Sequence, residues 1–330
     1  MENITLKDLK TGDIMLFTAP PGLLSQVIAA LTKSTVSHAG MVDYNPVYVI
    51  NETDKGAVST ILNPPNDRPI YIRRLKNAPD TEKVADIALE YVKEDLPYPF
   101  ANLAFLGIYM LASDFIPDTF GGEIVKNIIK LACYELIKLF NSKRIPAPRV
   151  PMVCSQFVAT CYDDAAIKYG PEYKIHYSED VKTISSLLQK ILEQLEAEPD
   201  KTFLLKEPSE TPFLPASNAD PAEEECRRLL DHMKQKQNTL LAAPSKIPDD
   251  VIAVFYQYAV LFLRFLKPDQ NNLKLGGQIS AGEIKNVLNE LRRFQETFIT
   301  PADLLSHTTN LEDVGILTYT QDELDSYRKK

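Results

Sequence analysis

Residues 36–42 read VSHAGMV, a histidine inside an apolar, β-branched run, followed at once by two very small residues. Such a run predicts a strand. On that strand Ala39 and Gly40 leave room beside His38 for another group to approach the ring. The neighbouring runs GDIMLF (12–17), VYVINE (47–52), AVSTIL (57–62) and PIYIRRL (69–75) are each short and bounded by Gly, Pro, Asn or Asp. Together they predict a β-meander. Between its first two strands, GLLSQVIAALTK (22–33) carries apolar residues at helical spacing.

Far downstream, VPMVCSQFV (150–158) places Cys154 behind a proline and at the head of a helical stripe formed by Phe157, Val158, Cys161 and Ala165. A thiol at a helix start meets the positive end of the dipole and unpaired backbone N–H groups, which favour the thiolate. The same N–H groups can steady an oxyanion. Cys133 and Cys161 read as core, whereas Cys226, between acidic and basic residues, reads as exposed. Of the four histidines, His176, His232 and His307 lie in polar settings, and His232 reads as part of a solvated helix face.

A cysteine nucleophile needs a base, and the base needs a group that fixes its tautomer. A hairpin turning at DYNP returns Asn51 and Glu52 alongside His38. Strand alternation puts only one of them on the histidine's face, and the turn hides which. Both stay candidates: Asn51 as a neutral orienter, Glu52 as a charged one.

The chain of 330 residues carries a net charge of -9, with 45% hydrophobic and 25% charged residues. This composition fits a globular protein and disfavours nucleic acid as a partner, since phosphate contacts need clustered Lys and Arg. No Cys-x-x-Cys pair or ligand cluster points to a metal, and no motif points to a cofactor. MENITLKDLK is not built as a cleaved signal peptide, so the expectation is cytoplasmic, with signal-independent export left open. ANLAFLGIYMLA (101–112) and VIAVFYQYAVLFLRFL (251–266) fall short of the about 20 apolar residues of a membrane span and read as core helices. Peripheral contact with a lipid surface stays open.

Further helical patterns fall near 80–94, 122–141, 154–168, 178–196, 221–238, 248–267 and 280–297. Four prolines between 199 and 215 mark a break. The expected organisation is α+β: a catalytic domain over 1–195, a Pro-rich linker over 196–220, an all-helical domain over 221–300 and a polar tail over 301–330.

KTGDIMLF, SHAGMV, YVINETDKGAV, LPYPF and VCSQFV, in that order, resemble the circularly permuted NlpC/P60 group of papain-like proteins, its YiiX-like branch, related to lecithin:retinol acyltransferase-like proteins. The likeness spans roughly residues 5–190. It implies a small barrel-like sheet packed on the cysteine helix, with Cys154 as nucleophile and His38 as base. The third residue departs from that group's common Glu-Ala, since the sequence reads Asn51-Glu52-Thr53. The activity implied is a cysteine hydrolase or acyltransferase that forms a thioester from an amide or ester, with a peptide or an acyl lipid as substrate. The competing expectation is an interaction protein whose helical domain binds a protein partner.

Overall fold

The short, turn-bounded apolar runs of the first 75 residues form strands, and the longer 3.6-residue patterns form helices. The computed structural model describes residues 1–53, 56–78, 80–93, 119–141, 154–178, 187–208, 221–237, 246–266, 273–295 and 299–329. Two units divide the chain: Met1–Ala101, Met152–Thr183 and Ile299–Lys330 make the first, and Asn102–Pro151 and Ile184–Phe298 the second. The architecture is α+β with a mixed sheet.

The chain begins in the first unit with β1 (Asn3–Ile4), β2 (Ile14–Thr18), α1 (Leu23–Leu31), β3 (Val36–Val42), β4 (Tyr48–Thr53), β5 (Gly56–Ile61), β6 (Ile70–Leu75) and α2 (Glu82–Lys93). It visits the second unit for α3 (Thr119–Asn141) and returns with α4 (Cys154–Tyr169). A second visit supplies α5 (Leu187–Ala197), β7 (Thr202–Leu205), α6 (Pro221–Gln237), α7 (Asp249–Leu266), β8 (Gly277–Ser280) and α8 (Ala281–Gln295). The first unit is then completed by α9 (Pro301–Ser306), β9 (Leu311–Leu317) and α10 (Gln321–Arg328).

In the first unit seven strands run in the order β1-β9-β6-β2-β3-β4-β5, all antiparallel except β1 with β9. One core packs Ile14, Leu16, Ala39, Met41 and Ile50 against Phe157, Val158, Cys161 and Tyr162 of α4. At roughly 1.5–3 kcal/mol for each large apolar side chain buried, this contact seats the cysteine helix on the sheet. Tyr91 of α2 meets Phe157 edge-on at 5.8 Å, and its hydroxyl donates to Asp164 at 2.8 Å. A second core, with Met15, Val42, Val49 and Ile72, lies around Leu6, Leu317 and Leu324.

The expected domain layout is corrected. Residues 301–330 are not a polar tail, because β9 enters the sheet between β1 and β6. Glu312 and Asp313 break its alternation, and Gly315 is required where β1 crosses closely: a Cβ there would lie 2.6 Å from the Glu2 carbonyl oxygen. The boundary at 195 is redrawn too, since α3 belongs to the second unit, and that unit holds the antiparallel strand pair β7-β8 in addition to helices. The stretch 196–220 contains the end of α5 and all of β7, while 209–220 lies outside the described residues.

Within the second unit α7 packs against α3, α8 and β7, which explains an apolar surface on nearly every side of it. No described helix is long and apolar enough to cross a membrane. The run 101–112 lies outside the described residues. Cys226 and His232 are buried on α6, contrary to expectation, because Cys226 shares a helical stripe with Leu229, Leu230 and Met233.

Arg73 of β6 fastens the returning segment. Its guanidinium donates to the carbonyls of Leu305 and Leu311 and to Thr308, and pairs with Asp313 at 2.8 Å. The side chain of Asp313 is 50% exposed, so its charge contributes less than the buried carbonyl bonds. Arg73→Met is expected to lower stability by about 2–4 kcal/mol, and Asp313→Ala by under about 1 kcal/mol. Urea unfolding of both variants checks this, and equal losses would refute the ranking.

Candidate active site

His38 lies mid-strand on β3, opposite Phe17 of β2, with ring centroids 5.6 Å apart. Across β3 and β4, Met41 pairs with Ile50 and Val42 with Val49. That register brings Asn51 to the histidine's side: Nε2 of His38 and Oδ1 of Asn51 are 3.2 Å apart. The alternating pleat turns Glu52 the other way.

Asn51 is itself held. Its Nδ2 donates to the Val49 carbonyl and to the Thr60 hydroxyl of β5, both at 3.1 Å. With the amide nitrogen engaged, Oδ1 is left to accept from His38, and the ring keeps Nδ1 for another partner. Gly40 permits this closeness: a Cβ there would meet Val49 Cγ1 at 2.5 Å and Asn51 Cβ at 3.1 Å. The room foreseen beside His38 is thus filled by β4.

The other partner is Cys154, the first residue of α4, which is 8% exposed and hydrogen-bonds to His38. Burial pushes its thiol up, but the charge of His38, the hydrogen bond to it, and the backbone N–H groups of Ala39 and Ser155 outweigh burial and hold the thiol below its ordinary value. For His38, burial works against the charged ring, yet the Cys154 charge, its hydrogen bond and that of Asn51 raise the imidazole above its usual value. The pair therefore favours thiolate and imidazolium. His38 is half-buried.

Glu52 is 7% exposed, and burial, with the Cys154 charge second, pushes its carboxyl up to about 8. It is neutral at pH 7 and adds no negative charge beside the thiolate. All four sequence candidates thus fall in one neighbourhood, with Asn51 on His38 and Glu52 apart from it. Sequence reasoning missed Thr60, whose signal is its place two residues beyond Val58, the cross-strand partner of Asn51. It missed the Ala39 N–H as well, which the strand's local path aims at sulfur.

Ser155 fixes the helix start from behind, its hydroxyl donating to the Ile299 carbonyl at 2.6 Å. Pro151, expected to set the chain's entry, lies outside the described residues. Among the described residues no group of three His, Cys, Asp or Glu is placed to hold a metal ion. Comparison with the profiles of known protein families and with characterised proteins finds no match in either.

Since thiolate fraction at a given pH rises as thiol pKa falls, iodoacetamide should alkylate Cys154 with an inflection below the about 8.5 of a free thiol. His38→Ala removes the opposing charge and leaves burial, so the inflection should move above that value. Peptide mass mapping across pH reads both, and an unmoved inflection in His38→Ala would disprove the coupling.

Proposed function

We propose that the protein is a cysteine hydrolase or acyltransferase acting on an amide or ester carbonyl through a thioester. The observation that carries this reading is the Cys154–His38 pair with Asn51 locking the ring. A buried cysteine kept only for packing would not gather an imidazole and two backbone N–H groups. Cys133 illustrates the contrast, since burial drives its thiol far upward and leaves it inert.

The steps follow from the charges. The Cys154 thiolate adds to the carbonyl carbon, forming the C–S bond and sending the π electrons to oxygen. Backbone N–H groups at the start of α4 stabilise that oxyanion in this reading. As the oxygen re-forms its double bond and the C–N or C–O bond breaks, the His38 imidazolium gives its proton to the leaving amine or alcohol. Water or a second acceptor then adds to the thioester while His38 takes its proton, and C–S cleavage restores the thiolate.

The permuted papain-like arrangement is part of the same proposal. It is supported by a base on a strand preceding the nucleophile's helix in sequence, and by that helix packing on an antiparallel sheet. A reducing compartment suits the reaction, because the thiolate must stay reduced. The apolar residues of α3 are spent on the second unit's core, among them Ile124, Ile128 and Leu136. Support for an acyl-lipid substrate from the 101–140 run is reduced accordingly.

Incubation with p-nitrophenyl butyrate followed by intact mass measurement should reveal a butyryl adduct on Cys154 that hydroxylamine removes. Cys154→Ala should give none, and His38→Ala should acylate about 10²–10⁴-fold more slowly. Asn51→Ala should show a smaller loss. Glu52→Gln should stay near the wild-type rate at pH 7, because the carboxyl is already protonated below about 8. No adduct on the wild-type protein, or an adduct that persists in Cys154→Ala, would end this reading.

A further inference from the structure

The second unit contains a cavity of about 840 Å³, within the range of ligand sites. Its floor is apolar: Leu131, Cys133 and Val254 line it, and each is under 9% exposed. One wall is the strand β7 and the residues just after it, with α3 and the first half of α7 opposite.

The direction of the β7 backbone groups follows from one hydrogen bond. Ala281 N–H donates to the Lys201 carbonyl at 2.9 Å, and the register pairs Phe203 with Ile279 and Leu205 with Gly277. In an antiparallel ladder every second residue turns both its N–H and its C=O to the partner strand. Lys201, Phe203 and Leu205 face β8, so Thr202 and Leu204 present theirs on the opposite edge. Among the described residues neither has a backbone partner there, and both line the cavity. The Leu204 side chain is 77% exposed.

Charge adds direction. Of the charged groups along the cavity, Lys126 pairs with Glu123 and Asp250, each at 2.5 Å, and Asp249 pairs with Lys201 at 2.6 Å. Lys130, Lys206 and Glu207 have no ion-pair partner among the described residues, which leaves two lysines against one carboxylate. Short edges carrying lysine also serve to deter strand pairing. A deterrent edge has no need of a cavity floored by buried apolar side chains beside it.

We propose that this cavity receives an extended peptide from a partner protein, which adds to β7 as a third strand. Its apolar side chains enter the cavity and its acidic ones meet Lys130 and Lys206. Backbone pairing with Thr202 and Leu204 supplies affinity, and the alternating side chains supply selectivity.

A fluorescein-labelled peptide alternating valine and glutamate, titrated with the full chain, tests this by anisotropy. Saturable binding is expected. N-methylation of one alternate set of peptide amides should abolish it, while methylation of the other set should not, the signature of one paired edge. Leu204→Pro removes the outward N–H together with a side chain on the cavity and should weaken binding at least tenfold. Lys130→Glu combined with Lys206→Glu should weaken it about tenfold at low salt. Absence of saturable binding, equal effects of the two methylation patterns, or tighter occupation by dodecanoate than by the peptide would each overturn the proposal. The methylated peptides need no protein variant, so misfolding of Leu204→Pro leaves the test intact.

Discussion

A sulfur anion withdrawn from water persists only where fixed donors and an opposite charge replace its hydration. At Cys154 those replacements are three groups on two elements: the Ser155 N–H of the helix start, and the Ala39 N–H and His38 ring of β3. His38 in turn depends on Asn51 of β4, and Asn51 on Thr60 of β5. One charge pair therefore ties the register of three strands to the seating of a helix. A one-residue slip between β3 and β4 would swap Asn51 for Glu52 beside the ring and reverse the charge balance.

The neutrality of Asn51 matters for that balance. A carboxylate in its place would set a second negative charge against a single imidazolium in a poorly solvated site, where like charges are felt most strongly. The protein does place a carboxyl nearby, at Glu52, but burial keeps it protonated to about pH 8. At neutral pH the site holds one positive and one negative charge. The amide supplies orientation without altering that count.

Residues with local patterns were legible in the sequence. The strands around His38 are short apolar runs bounded by turn residues, the Cys154 helix shows its buried stripe, and even the two candidate orienters were narrowed to adjacent positions. Choosing between them required the register set by the turn at 43–47, which no local pattern encodes. β9 was not legible for a related reason. Its polar pair, Glu312 and Asp313, breaks the alternation, and Asp313 has its use only when Arg73 is beside it. A residue whose partner is hundreds of positions away looks like a tail residue until the sheet is assembled.

The same distance governs how the site is completed. The strands bearing His38 and Asn51 are made early, but the nucleophile's helix arrives after the first visit to the second unit, and the segment behind it after the second visit. That last segment is not peripheral: Ile299 accepts the Ser155 hydroxyl at the helix start, α9 packs on β3, and β9 fills the sheet between β1 and β6. Non-local pairings of this kind lose loop-closure entropy before their contacts form. A thiol at Cys154 therefore gains its anionic character only in the finished first unit. Until then it is an ordinary cysteine, whose burial without His38 would raise its pKa and quiet it.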